Sequence, residues 1–173
     1  IRQSLSDPTS ASQDNLVMEW QFLIQEHGVD IRAVEALIDG LIQDTEPVLL
    51  TEQSALEHYC YRVAATVGIM MCPVLGVSSR PALAHAIDLG LAMQLTNVCR
   101  DVLEDAQMGR RYLPLDIPPR NLADPSQCDR EMVSRAIERQ LNRAEELYQS
   151  GILGLRYLPR GSRISIYLAA ILY

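Results

Sequence analysis

The chain has 173 residues, 48% of them hydrophobic, and carries a formal net charge of −7. That length and composition fit one domain, residues 1–173, with a sizeable core, and exclude a disordered chain. The acidic balance and the lack of a lysine-rich or arginine-rich block exclude a general nucleic-acid binder. Cys60, Cys72, Cys99 and Cys128 lie too far apart for C-x-x-C pairs and share no ligand spacing with the histidines. They read as reduced, mostly buried thiols of a cytosol-like compartment. No signal peptide is visible. The longest apolar run, Val67 to Val77, contains Pro73 and falls short of the roughly 20 residues that span a bilayer.

Ser4 to Asp14 is rich in Ser, Asp, Thr and Pro and reads as a lead-in. The first helix runs from Asn15 to His27, with Leu16, Trp20, Leu23 and Ile24 at helical spacing and Gly28 as its stop. Asp30 is placed to cap a second helix through about Gln43. A break around Pro47 precedes a long third helix, Glu52 to about Val77, capped by Thr51. On it Tyr59, Val63, Val67 and Met70 share a face that Ala64, Ala65 and Gly68 keep small, which serves either close packing or room for a ligand. Ser79 and Pro81 open a fourth helix that ends at Met108 and Gly109. Leu115 to Asp129 reads as a loop. Arg130 to Gln149 is a fifth, highly charged helix, and a turn at Tyr157-Leu158-Pro159 leads to a last apolar helix opened by Gly161 or Ser162. No strand pattern competes, so the predicted class is all-α.

The fourth helix carries the chemistry. At about 100° per residue, Gly90, Gln94, Asn97, Asp101 and Asp105 fall within roughly a quarter of its circumference. Leu91, Leu95, Val98 and Val102 take a neighbouring apolar face that can pack inward. Two carboxylates one turn apart, with an amide oxygen a turn earlier, are hard oxygen ligands suited to Mg²⁺, whose shell is usually completed by water and substrate phosphates. Like charges at this spacing repel, and Glu104 adds a third. Arg100, Arg110 and Arg111 are the nearby cations, either pairing with these carboxylates or gripping phosphate oxygens. Spacing alone leaves two readings open, a metal site and a solvated acidic face.

Four blocks resolve that ambiguity by resemblance: Tyr59-Cys-Tyr-Arg-Val-Ala-Ala-Thr-Val-Gly-Ile-Met-Met71, Leu89-Gly-Leu-Ala-Met-Gln-Leu-Thr-Asn97, Arg100-Asp-Val-Leu-Glu-Asp105 and Gly109-Arg-Arg-Tyr-Leu-Pro114. In this order they resemble the squalene and phytoene synthases, and Met70 and Met71 look most like the phytoene-forming branch. The resemblance covers most of the chain, from about Asp30 to Tyr173. It implies an all-helical isoprenoid synthase-type bundle that joins two prenyl diphosphates head to head through a cyclopropyl diphosphate, most closely geranylgeranyl diphosphate to phytoene in carotenoid biosynthesis. It further implies Mg²⁺, with Mn²⁺ as an allowed substitute, held by Asn97, Asp101 and Asp105. Arg100 is then a diphosphate contact and Tyr112 a tyrosine that closes over the diphosphate. Tyr59, Val63, Ala64, Val67, Gly68, Gly90, Gln94 and Tyr173 would meet the prenyl substrate. A lipid product allows peripheral membrane association of a cytoplasmic enzyme, or of a plastid one in a plant.

One departure stands out. The family's first aspartate-rich motif has no counterpart here, and Asp39 to Asp44 does not replace it because its spacing is five residues. With a start at Ile1 and an end within an apolar run, the chain reads as incomplete at both ends and lacking N-terminal helices. Residues 1–173 alone are therefore expected to be inactive until a segment bearing that motif is added, and the apolar faces of Val63, Val67, Leu91 and Leu95 are expected to be partly uncovered. The alternatives are a squalene or dehydrosqualene synthase using farnesyl diphosphate, and a non-catalytic helical assembly protein of the same family.

Overall fold

A computed structural model describes residues 15–124 and 130–172, and within them helix follows helix as the spacing predicts. Helix α1 spans Asn15–His27 and stops at Gly28, whose φ of +68° is easy for glycine and strained for other residues. Helix α2 spans Ile31–Gln43, and the Asp30 carboxylate accepts from the Arg32 N–H as its N-cap.

The predicted long third helix is built in three pieces: α3 (Gln53–Cys60), a π-helical turn (Tyr61–Ala65) and α4 (Thr66–Val74). Glu52 rather than Thr51 occupies the N-cap, with no side-chain cap bond. The Thr66 hydroxyl donates to the Arg62 carbonyl at 2.7 Å where the wide turn returns to α geometry. Such turns recur at functional sites, and this one carries Val63 and Ala64.

Helix α5 spans Arg80–Arg100, with Ser79 Oγ accepting from the Ala82 N–H and Pro81 in the first turn. The helix predicted to continue to Gly109 breaks at Asp101 (φ −98°, ψ 13°) and resumes as α6, Val102–Gln107. Bonds from Asp101 N–H to the Asn97 carbonyl (2.9 Å) and from Asp105 N–H to the Asp101 carbonyl (2.8 Å) bridge the break. The turn-by-turn spacing of Asn97, Asp101 and Asp105 therefore survives.

The chain beyond is not an open loop. Arg111 N–H donates to the Val48 carbonyl at 2.7 Å and Leu50 N–H to the Arg111 carbonyl at 2.9 Å, forming an isolated parallel bridge. Tyr112, Leu113, Leu115 and Ile117 are buried in the main core. A short helix, α7 (Pro119–Ala123), follows, because proline in the first turn starts a helix as readily as it breaks one. Helix α8 runs Arg130–Gly154, past the predicted end at Gln149. Gly151 and Gly154 stay helical because α8 lies directly on α5: a Cβ on Gly154 would come within 2.5 Å of His85 Cβ. A 3₁₀ turn (Leu155–Tyr157) leads into α9, Arg160–Leu172.

Helix α5 is the central post, packed along α8 on one side and on the π turn and α4 on the other. Leu56, Leu95 and Leu113 are among the most deeply buried side chains, each contributing about 1.5–3 kcal/mol relative to an exposed position. Leu95 is thus core, contrary to the expectation that its face is uncovered, whereas Val67 is 42% exposed as expected. A second core joins α1 and α2 to Met70. Cys60 and Cys72 are buried and Cys99 half-buried, all as free thiols, while Cys128 lies outside the described residues.

Candidate active site

A cavity of about 420 Å³ runs along α5. Val63, Ala64, Val67 and Gly68 line one wall, Gly90, Gln94 and Asn97 the next, and Gly151, Ile166 and Ala169 complete it from α8 and α9. Seven of the predicted substrate and metal residues thus meet on one cavity. The small-residue face serves both purposes open to it. A Cβ on Gly68 would sit 2.6 Å from the Ala86 carbonyl oxygen and one on Gly90 2.7 Å from Ala65 Cα, so the helices nearly touch there. The open space lies alongside those crossings.

The cavity's polar end leads to the acidic face. Asn97 Nδ2 donates to Gln94 Oε1 at 3.3 Å, while Asn97 Oδ1 is buried without a partner. An unpaired buried acceptor costs about 1–3 kcal/mol. Arg100 grips Asp101 with two bonds, Nε to Oδ1 at 2.7 Å and one guanidinium nitrogen to Oδ2 at 2.8 Å, and holds that carboxyl below its usual range. Asp105 behaves oppositely. Burial first, then the neighbouring Asp101 charge, push it up to about 6 against the pull of Arg110, with Glu104 and Asp44 adding to the rise. An orphaned amide oxygen and a carboxylate short of positive charge, with a second carboxylate held by a displaceable arginine, are a donor set that fits a hard divalent cation. Among the described residues no group of three or more His, Cys, Asp and Glu gathers as a ready-made metal cage.

The arginines divide their work. Arg100 pairs with Asp101, one of its two predicted roles. Arg110 donates to the Asp44 carbonyl at 2.8 Å. Arg111 is 6% exposed and donates to the carbonyls of Ile117 (2.5 Å) and Leu50 (3.2 Å), so it pegs the segment after the acidic face to the chain before α3. It is a structural peg that does not line the cavity: its guanidinium is turned into the core where backbone carbonyls are its acceptors, and the carboxylate whose charge acts on it is Asp116, not one of the acidic face.

Tyr59 and Tyr112 do not line the cavity. Their rings stack with centroids 4.5 Å apart, and both hydroxyls donate to one carboxylate, Tyr59 to Asp44 Oδ2 at 3.1 Å and Tyr112 to Asp44 Oδ1 at 2.8 Å. Burial raises both phenols, Tyr112 to about 12, so both stay protonated donors. Asp44, set aside in the sequence as poorly spaced, is the junction of α2, α3 and the segment after α6. No local periodicity joins residues 44, 59 and 112, so the sequence carries no signal for it. Tyr173 lies outside the described residues.

The squalene/phytoene synthase family model matches residues 1–173, and the chain belongs to that family. It is 40% identical over 158 residues to a phytoene synthase of Rhodobacter capsulatus, covering 87% of this chain and 46% of that protein. It is 44% identical over 122 residues to a 15-cis-phytoene synthase of Enterobacter agglomerans, covering 67% and 41%. The chain thus spans less than half the length of either. Among solved structures, a squalene synthase HpnC from Alicyclobacillus acidocaldarius matches with a TM-score of 0.84 at 18% identity, covering 98% of this chain and 66% of that one, a likeness of fold alone. A dehydrosqualene synthase in complex with ligand matches with a TM-score of 0.78 at 29% identity, covering 99% and 63%. The fold is the all-helical isoprenoid synthase bundle.

Proposed function

We propose that this chain acts in the head-to-head joining of two geranylgeranyl diphosphates to phytoene, a step of carotenoid biosynthesis. The observation that carries the reading is an apolar cavity bordered by α5 and followed, across the break into α6, by undercompensated oxygen donors: Asn97 Oδ1 buried and unpaired on α5, and Asp105 shifted to about 6 on α6. Identity to the phytoene synthases supports the geranylgeranyl choice.

Asn97, Asp101 and Asp105 would hold Mg²⁺, or Mn²⁺ in its place, and the bound cation supplies neutralisation of the charge on a departing diphosphate. Arg100 adds bidentate contacts to phosphate oxygens when these replace Asp101 as its partner. Gln94 and Gly90 border the reacting allylic carbons. Val63, Val67, Leu89 and Met93 wall the cavity with groups that exclude water and do not trap a cation. In the first half-reaction a C1–O bond of one substrate breaks, its C1 bonds across the double bond of the second, and a proton leaves to give a cyclopropyl diphosphate. In the second, the remaining diphosphate leaves, the carbon skeleton rearranges and a second proton is lost. No reductant is consumed. No described helix is long and apolar enough to cross a membrane. On the family likeness, the proposed enzyme works in the cytoplasm, or in the plastid of a plant, and releases its hydrocarbon at a membrane surface.

Incubation of the full-length protein with labelled geranylgeranyl diphosphate and Mg²⁺, followed by hydrocarbon extraction, is expected to yield phytoene. Product from farnesyl diphosphate alone would favour the reading suggested by the dehydrosqualene synthase likeness. A folded protein that releases no diphosphate from either substrate would favour a non-catalytic assembly role.

A further inference from the structure

The α5 wall works as a ruler. Its cavity-lining residues run from Asn97 back to Ala82, a rise of about 22 Å at 1.5 Å per residue. Gln94 and Asn97 mark the polar end. Near the other end the ring of His85 is the one basic side chain among the described lining residues. Three neighbours fix that ring. Ser150 Oγ donates to Asp88 Oδ2 at 2.5 Å and so accepts from His85 Nδ1–H at 3.1 Å. The Tyr157 ring stacks on it at 25° with centroids 6.1 Å apart. Gly154 backs it so closely that a Cβ there would lie 2.5 Å from His85 Cβ, leaving the ring no retreat toward α8.

We propose that His85 is a depth gauge that determines substrate chain length, marking the level where a three-isoprene tail ends and beyond which a fourth isoprene unit must pass. This rests on the prenyl-transfer reading above. From Gln94 the helix rises about 13.5 Å to His85 and about 18 Å to Ala82. Carbon–carbon single bonds near 1.5 Å advance an extended chain about 1.25 Å each, so the roughly eleven main-chain bonds of a farnesyl tail reach about 14 Å and the roughly fifteen of a geranylgeranyl tail about 19 Å. With the first carbon at the level of Gln94, a farnesyl tail ends beside His85. The last unit of a geranylgeranyl tail lies past it, against Leu75, Val77, Ala82 and Leu158. The pinned ring leaves that deep end open, and a bulkier side chain at the same position closes it.

The test compares kcat/KM for geranylgeranyl and farnesyl diphosphates in the full-length protein and in His85→Trp and His85→Phe, with thermal melting recorded for each. The expected result is a fall of at least about tenfold for geranylgeranyl diphosphate and a change under about threefold for farnesyl diphosphate, the scale on which an apolar pocket discriminates length. Ser150→Ala, which frees the ring, is expected to change the ratio of the two by about two- to fivefold. Equal losses on both substrates in a variant that melts like the parent would overturn the gauge. If the bulky variants do not melt cooperatively, Ala82→Leu narrows the same deep end and faces the same two outcomes. A parent protein inactive on both diphosphates defeats the functional reading instead. The gauge is then tested by calorimetry with non-hydrolysable thiodiphosphate analogues of the two lengths: loss of binding confined to the longer analogue in His85→Trp supports it, and equal loss or no binding by the parent overturns it.

Discussion

The two ends of the α5 wall bring polar groups to one cavity on opposite terms. At the deep end Ser150 stands between His85 and Asp88, giving to one and receiving from the other. At the outer end Asn97 Oδ1 is buried with no partner, and beyond the cavity on α6 Asp105 is pushed up to about 6 by burial and by Asp101. Buried polar groups are almost always paired, and an unpaired one calls for a reason. The paired end is finished as a wall. The unpaired end is finished by what arrives there, oxygen ligands from a substrate and the cation that comes with it.

The largest expected break in this comparison is at the carboxylates. Asp101→Asn and Asp105→Asn in the full-length protein are expected to cut turnover by roughly a thousandfold, the scale of losing a group aimed at transition-state charge. Helicity by circular dichroism should stay close to the parent in both, as should the melting temperature of Asp101→Asn, while Asp105→Asn should melt somewhat higher at neutral pH without divalent cation. Steady-state rates that match the parent would remove both residues from the site. Next in size is Arg111→Met, which strips the Ile117 and Leu50 carbonyls of their buried donor. A loss of about 2–4 kcal/mol in denaturant unfolding is expected. Full stability with impaired turnover would return Arg111 to the diphosphate-gripping role that the sequence allowed.

What the sequence revealed of the site was local. Asp30 and Ser79 announced their helices as caps, and Asn97, Asp101 and Asp105 announced a shared face because a repeat of three or four residues is written along the chain. The backbone departures were hidden. A π turn at Tyr61–Ala65 and a break at Asp101 leave the apolar spacing nearly unchanged, so periodicity runs straight through them. Long-range partners were hidden too. Asp44 meets Tyr59 and Tyr112, 15 and 68 residues along the chain, and Arg111 read as a partner for carboxylates or phosphate because no periodicity says that its acceptors are the Leu50 and Ile117 carbonyls. Gly151 and Gly154 have low helix propensity. Their contacts with Leu89 and His85 explain why α8 keeps them.

The unpaired end also predicts a pH dependence. Asp105 is raised from its ordinary 3.8 to about 6, so the folded state favours its protonated form. The contribution to stability is full below the ordinary value and is lost as pH rises through about 6. Moving from pH 4 to pH 7 without divalent cation should therefore remove roughly 1–2 kcal/mol after solvent screening. Asp105→Asn should flatten that part of the profile, and Mg²⁺ with inorganic diphosphate should oppose the loss in the parent. An identical slope in parent and variant would put the titration on another group.

The smallest effect sets the two ends directly against each other. Asn97→Ala removes an acceptor that the folded protein leaves unpaired and gives up one long bond to Gln94, 3.3 Å. The desolvation cost recovered offsets the bond lost, so stability should hold or rise by up to about 1 kcal/mol. For a chain of this size that is a rise of up to about 2–4 °C in melting temperature. Ser150→Ala is a similar loss of polar atoms on paper but removes the shared partner of His85 and Asp88, and stability should fall by about 1 kcal/mol. The sign carries the argument: a polar group kept for the fold costs stability when deleted, and one kept for a ligand does not. Matched thermal melts of the two variants in metal-free buffer read that sign. A clear drop for Asn97→Ala alongside no drop for Ser150→Ala would reverse the assignment of wall and binding end along α5.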